Sequence, residues 1–570
     1  MHRGLHRWTA LLTALLTALI WILGLTAYGE SAPAGTVTDS AITDDGQVRV
    51  YLKSLGDVSG MQLTLSGEYR LGESMRFDRG TRLAFAAANG EIYLAAEGFV
   101  MKAGTEAVLT RCAGEDGAEN GLYIYESEKD TLYEGDLRIL CDGDVLRCVL
   151  TISMEDYLRG VVAYEMSDSF PLEALKAQAV AARTYAMSKK AARADAEYDV
   201  TDTTSDQVYK GADGEYANVA RAVEETRGVV GTYQGRYAGC YYTASNGGQV
   251  ATPNQIWGGD GDYGYIQQKD DPYDLENSRS MVNSLSVPAA RDEGDFWKLL
   301  DERIDTSGHA RVRGGEITEI TLSDPAFEGS YMYRQMDVTM KIQTRDRGLV
   351  EAEYDGDRIS GWAMGYAYLE GKWYKWDLLP WQDTEETRTV SLSVYEDVKD
   401  GFSLGLNSRD YEICSVQREG EHYLIEMRRF GHGVGMSQRG AQVMAGNYDM
   451  SYVEILNFYY PGMTLERIQW DTPELPAREE IPQALAKEML NLPPAEGDLG
   501  TLAEGEYYAR VVLQGKTLLN VRTGPSTDYP AVARLYDGYR LVVCAEENGW
   551  AQVRAAAFTG YVKMDYIQAE

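Results

Sequence analysis

The sequence predicts an α+β domain with β-rich insertions, followed by a small all-β unit, and three observations predict it. Short runs of alternating apolar and polar residues, punctuated by Gly and Asp, fill the first part of the chain. One stretch, 157–187, carries strong helical spacing. After a Pro- and acid-rich run at 471–504, which reads as a linker with one short helix at 481–490, the chain returns to short strands over 505–570. At 570 residues it is too long for one ordinary core, so two or three domains are expected.

In chain order, His2, Arg3, His6 and Arg7 precede an apolar run at 8–27, the pattern of an export signal. About twenty apolar residues also suffice to span a bilayer. Residues 1–34 are therefore read either as a signal cleaved near Ala27 and Gly29, or Ala32 and Ala34, or as a single membrane anchor. Alternating runs at 48–55, 61–67, 91–101, 122–125 and 145–152 predict strands. Ser153 with Asp156 is a capping box opening a short helix, and Ser169, Pro171 and Glu173 mark the start of a longer one. Leu172, Leu175, Ala179, Ala182 and Ala186 fall on one narrow face of small residues, which predicts a central, closely packed helix. Glu165 is expected in the turn between the two helices, either as a functional carboxyl or as a structural partner of an Arg.

Further on, 296–304 reads as a short helix, and 316–323 and 336–343 read as strands. Residues 361–381 are unusually aromatic; their rings either pack an inserted β-region around 285–425 or stack on sugar faces. Ser451 and Glu454 form a capping box, and Pro461-Gly462 ends that helix. The formal charge of −34 makes nucleic acid or an anionic membrane surface a poor partner and leaves an uncharged polymer such as glycan compatible. Six scattered cysteines show no CxxC or Cys/His clustering, which argues against structural zinc and a disulfide scaffold. Cys141 and Cys148 are either a hairpin disulfide or buried thiols.

The stretch YLRGVVAYEMSDSFPLEALKAQAVAARTYAM at 157–187 resembles the core of the stage II sporulation protein D (SpoIID/LytB) family. Two further blocks carry the same resemblance. One is YYTASNGGQVATPNQIWGG at 241–259 with DDPYD at 270–274, and the other is RRFGHGVGMSQRGAQVMAGNYDMSYVEILNFYYPG at 428–462. The unit at 518–567, with its NVRTGPS opening and GYV ending, resembles a bacterial SH3-like domain, for which the implied role is attachment to the cell wall. On this resemblance, 35–470 is one family domain interrupted by the insertion, and 505–570 is the SH3-like barrel.

The family resemblance implies a lytic transglycosylase acting on peptidoglycan glycan strands, outside the cytoplasm, secreted to the wall or anchored in the cell membrane. One carboxyl group, Glu165, would protonate the glycosidic oxygen between N-acetylmuramic acid and N-acetylglucosamine. It would then take the proton of the muramoyl 6-hydroxyl as that oxygen closes a 1,6-anhydro ring. Hydrolytic glycosidases usually need two carboxylates, so a single acid fits transglycosylation better. The role requires a pKa raised from about 4.3 toward 6 or 7. Lys176, Gln178 and Arg183 are candidates to touch substrate or orient Glu165. Ser245 and Asn246 either hydrogen-bond sugar hydroxyls and acetamido groups or form a plain turn. The resemblance suggests His432, Ser437 and Gln438 as groove residues, with a structural His between glycines as the alternative. Some relatives bind zinc near the second block, but Tyr242, Thr243, Ala244 and Ser245 stand there in this chain, so neither metal nor cofactor is expected. The rival reading is non-enzymatic: a glycan-binding enhancer of a partner N-acetylmuramoyl-L-alanine amidase.

Overall fold

Alternation builds most of the first third of the chain. In Gln47–Tyr51, Val48 and Val50 are fully buried while the residues between them stay half-exposed, the pattern of a strand with one face on a core. The computed structural model describes residues 36–476, 499 and 501–570, apart from gaps at 73–74, 97–98, 115–117, 125–130, 212–215, 514, 516–518, 523, 530, 536 and 556–558. The expected export segment and the helix at 481–490 lie outside the described residues. Among the described residues no helix is long and apolar enough to cross a membrane.

The fold is mixed α and β and rich in strands, and the chain divides into two units. The first takes in the residues up to Cys240, Met450–Asn457 and Gly462–Glu570. Its seven-stranded sheet runs in the order Val200–Thr201, Gln47–Tyr51, Val145–Ser153, Asp136–Asp142, Glu106–Arg111, Tyr69–Leu71 and Met75–Phe77. A six-stranded sheet includes Gly60–Leu65 and Arg82–Ala88. The run at 91–101 is two antiparallel strands, Glu91–Ala96 and Phe99–Gly104.

Three helices follow: α1 (Met154–Glu165), α2 (Leu172–Ala192) and α3 (Ala217–Glu225). The expected cap of α1 forms: Ser153 Oγ accepts from the Asp156 N–H at 3.2 Å and donates to Asp156 Oδ2 at 2.6 Å. Ser169 does not cap α2; its hydroxyl pairs with that of Ser167 at 2.9 Å, and Pro171 precedes the helix. From Ala174 to Met187 every residue of α2 but Lys176 is buried, so the helix is enclosed on all sides and not on one narrow face. The C-terminal residues form a strand-only sheet of seven strands, from Tyr507–Val511 to Ile567–Ala569, around Val521, Leu541, Val543, Val553 and Val562.

The second unit comprises Tyr241–Asp449 and Phe458–Pro461. The expected strands are Val312–Pro325 and Tyr333–Thr344, paired antiparallel, and the expected short helix is Asp295–Arg303, whose Trp297 is fully buried. Arg347–Glu351, Tyr366–Leu369 and Lys372–Leu378 form a separate three-stranded sheet within the insertion. None of the six cysteines, Cys141 and Cys148 included, is joined in a disulfide.

Candidate functional site

The α1–α2 hairpin is held by polar groups that the apolar core leaves few other uses. Glu165 is the last residue of α1, not a turn residue, because the helix closes with the Met166 N–H on the Val162 carbonyl at 2.9 Å. Its side chain is half-buried and engaged, with Val161, Val162 and Met166 buried beside it and Tyr164 exposed. The turn that follows is pinned: Asp168 Oδ1 accepts from the Val219 N–H at 2.8 Å, so the α1–α2 turn caps α3.

Lys176 on α2 reaches Glu173 and Glu225, each at 2.7 Å, tying α2 to α3. Arg183 is fully buried and pairs with Glu155 of α1 through Nε at 3.2 Å and an Nη at 2.5 Å. Its remaining donors go to the Val229 and Val223 carbonyls, and Glu155 also accepts from the Gly228 N–H and the Trp470 indole. Arg183 is therefore a buried brace between α1 and α2, fully committed to protein atoms. Gln178 is fully buried too, yet neither atom of its amide has a hydrogen-bond partner. An enclosed amide without partners is costly, which marks Gln178 as the open polar position of this helix.

In the second unit, Ser245, Asn246 and Ser437 come together around two carboxylates that sequence reasoning did not single out, Asp271 and Asp274. All five side chains are buried. Asp271 accepts from Asn246 Nδ2 and the Tyr459 hydroxyl, both at 2.7 Å. Asp274 accepts from Ser437 Oγ at 2.5 Å, Ser245 Oγ at 2.9 Å and the Gly247 N–H at 3.0 Å. Burial, and then the Asp274 carboxylate, push Asp271 up to about 6; burial raises Asp274 as well. The residues expected on a sugar thus have their side chains on these acids. Ser437 also caps the helix Gln438–Asn447 by accepting from the Gly440 N–H at 3.0 Å, and Gln438 is buried as its first residue. The readable signal for Asp271 was Asp-Pro at a helix start: it caps Pro272–Glu276.

The glycines of the third block are explained by close approach. A Cβ on Gly433 would lie 2.4 Å from Arg429 Nε, and one on Gly435 would lie 2.0 Å from the Tyr241 carbonyl oxygen; both have positive φ. His432, between Gly431 and Gly433, accepts the Val434 N–H on Nδ1 at 3.0 Å. Burial, followed by the Arg429 cation, brings it down to about 4, so it is neutral at ordinary pH. Its ring meets Trp257 edge-on at 5.0 Å, and Trp257 in turn packs on Tyr241 at 4.8 Å. Trp257 remains 47% exposed, an aromatic ledge on which no sequence argument had settled.

Comparison with known proteins agrees with this layout. Residues 143–233, which hold α1, α2 and α3, match the family model described as stage II sporulation protein, and residues 517–568 match the bacterial SH3 domain. The chain is 31% identical over 314 residues to the amidase enhancer of Bacillus subtilis (strain 168), covering 54% of this chain and 40% of that protein. It is 26% identical over 329 residues to stage II sporulation protein D of the same organism, covering 55% of this chain and 74% of that protein. An uncharacterized Brachyspira hyodysenteriae protein is 39% identical over 127 residues, 22% of this chain and 34% of its own length. The chain thus spans less than half the length of the first and last of these relatives. Residues 143–233 thus carry a stage II sporulation protein domain and the C-terminal residues a bacterial SH3 domain, and over about half its length the chain is similar to the amidase enhancer and to stage II sporulation protein D.

Proposed function

We propose that this protein is an exported peptidoglycan lytic transglycosylase with Glu165 as its single acid and base, held to the wall by its SH3 domain. The observation that carries the reading is the placement of Glu165: half-buried at the end of α1, in the matched region, on a hairpin braced by Arg183 and capped onto α3 by Asp168. A carboxyl so placed meets two demands of general acid catalysis, partial desolvation and a fixed position. Ser245, Asn246 and Ser437 serve the reading by shaping the second unit from within, and the Trp257 ledge offers sugar an aromatic face.

The test incubates the protein and its Glu165→Gln variant with denuded glycan strands and analyses the products by mass spectrometry. The expected outcome is anhydromuramoyl ends from the parent and a fall of about 100- to 10,000-fold in the variant, with the thermal midpoint unmoved. Reducing ends would mean hydrolysis and a second carboxylate. The relative named amidase enhancer favours a second reading, in which the protein binds glycan and stimulates a separate amidase. Intact strands with both proteins, together with faster release of stem peptides by an added amidase, would establish that reading instead.

A further inference from the structure

The small sheet of the insertion spends only one of its faces on folding. Along Lys372–Leu378 the side chains alternate, and Trp373 falls on the side where Tyr354, Tyr366 and Tyr368 pack around it with ring centroids 4.8, 6.5 and 4.9 Å away. The short helix Arg358–Ala363 closes that side, so tightly that a Cβ on Gly361 would lie 2.7 Å from Trp373. On the opposite side Leu349 stands directly across from Trp376, and Ala367 across from Tyr374. Leu349, Leu369 and Trp376 are 45, 47 and 60% exposed. Of the aromatic residues expected to pack the insertion, Trp373 and Tyr366 are half-buried on the packed side, while Trp376 on the opposite side and Trp362 on the short helix stay mostly in water.

We propose that this open face is a glycan-binding ledge for an uncharged chain of β-linked N-acetylhexosamines. A large apolar group kept in solvent marks a contact surface. The face sets Trp376 and Tyr374 of one strand beside Leu349 and Leu369 of its neighbours, aromatic and aliphatic groups suited to the C–H face of a pyranose ring. Its two central charges, Glu351 and Lys372, are paired at 2.6 Å and cancel, while their exposed heads offer hydrogen bonds to hydroxyl and acetamido groups. A chain of net charge −34 disfavours a polyanion, so the occupant is neutral. The polymer class is that of the proposed function, but the event is binding, remote in sequence from Glu165.

The experiment uses the full-length Glu165→Gln chain labelled with 5-fluorotryptophan, with Trp376→Phe identifying the Trp376 resonance. A soluble β-1,4-linked N-acetylglucosamine tetramer is the probe. The expected result is a saturating shift of the Trp376 resonance, with affinity roughly tenfold weaker in Tyr374→Ala. A Trp376 resonance unmoved at millimolar sugar overturns the proposal. So does one that moves with protein concentration alone, since the face would then join two copies of the chain. Tetramer bound here while the parent chain leaves denuded glycan strands intact would sink the proposed reaction and leave the ledge standing; cleaved strands with an unmoved Trp376 would do the reverse.

Discussion

Arg183 and Asp271 both lie wholly out of water, and their surroundings differ in sign. Arg183 faces the Glu155 carboxylate, so a buried cation meets a buried anion and the remaining donors find carbonyls. Asp271 faces a second carboxylate, Asp274, and draws its hydrogen bonds from neutral groups, Asn246 and Tyr459. A buried cation of that unit, Arg429, goes to the main-chain carbonyls of Asn246 and Gln249 instead, and burial holds it down to about 10. Opposite charges make a brace in which each offsets the burial of the other. Like charges make a cluster whose cost depends on whether a proton is present.

The largest expected effect comes from breaking the brace. Arg183→Met leaves Glu155 buried with only the Gly228 N–H and the Trp470 indole as donors, at a cost of about 3–5 kcal/mol. Adding Glu155→Gln removes the stranded charge, so the double variant is expected to recover part of the loss in a denaturant-unfolding cycle. Strict additivity would show that the two residues act separately and would undo the comparison.

The carboxylate pair gives the next effect. Asp271 has its pKa raised in the folded state from the ordinary 3.8 to about 6, so between these values the folded chain binds more protons than the unfolded one. Stability from this group is therefore full at low pH and falls as pH rises through about 6. Between pH 5 and pH 7.5 the difference is roughly 1.4 kcal/mol. Asp271→Asn removes that slope: compared with the parent, the variant is expected to lose its advantage at pH 5 in thermal melts. Parallel pH profiles for the two proteins would show that Asp271 is already ionised at no cost.

Much of this contrast follows from how far each pattern reaches along the chain. The caps at Ser153 and Ser451, the helical run of α2 and the strands of the insertion are local, set by spacing and by residues three or four apart, and the sequence shows them, whereas the enclosure of α2 on all sides depends on distant elements. The partners of Ser245, Asn246 and Ser437 are not local: Asp274 lies 29 residues from Ser245 and 163 from Ser437. A short polar side chain in a Gly-rich turn looks identical in sequence whether it faces a sugar or a buried acid. Glu165 was picked out as the chemical centre, yet its position at the end of α1 was read as a turn, because Met166-Ser-Asp-Ser carries strong turn signals one residue later. The insertion's aromatics divided between core and surface because alternation on a sheet sends neighbouring rings to opposite faces.

The smallest effect is at Lys176, which sits between the brace and the surface. Its ammonium joins Glu173 and Glu225, but Glu225 stands at the exposed edge of α3, and Glu173 keeps the Tyr452 N–H at 2.8 Å without it. Partly exposed pairs of this kind are screened and contribute little, so Lys176→Met is expected to lower the thermal midpoint by about 2 °C. The deficit should disappear in 1 M salt, where the Debye length is about 3 Å, whereas the Arg183→Met deficit should persist because salt does not reach a buried pair. A Lys176→Met protein with an unchanged midpoint but a raised KM for glycan would instead give Lys176 the substrate contact that the sequence suggested. Its ion pairs would then serve to aim the ammonium and not to hold the helices together.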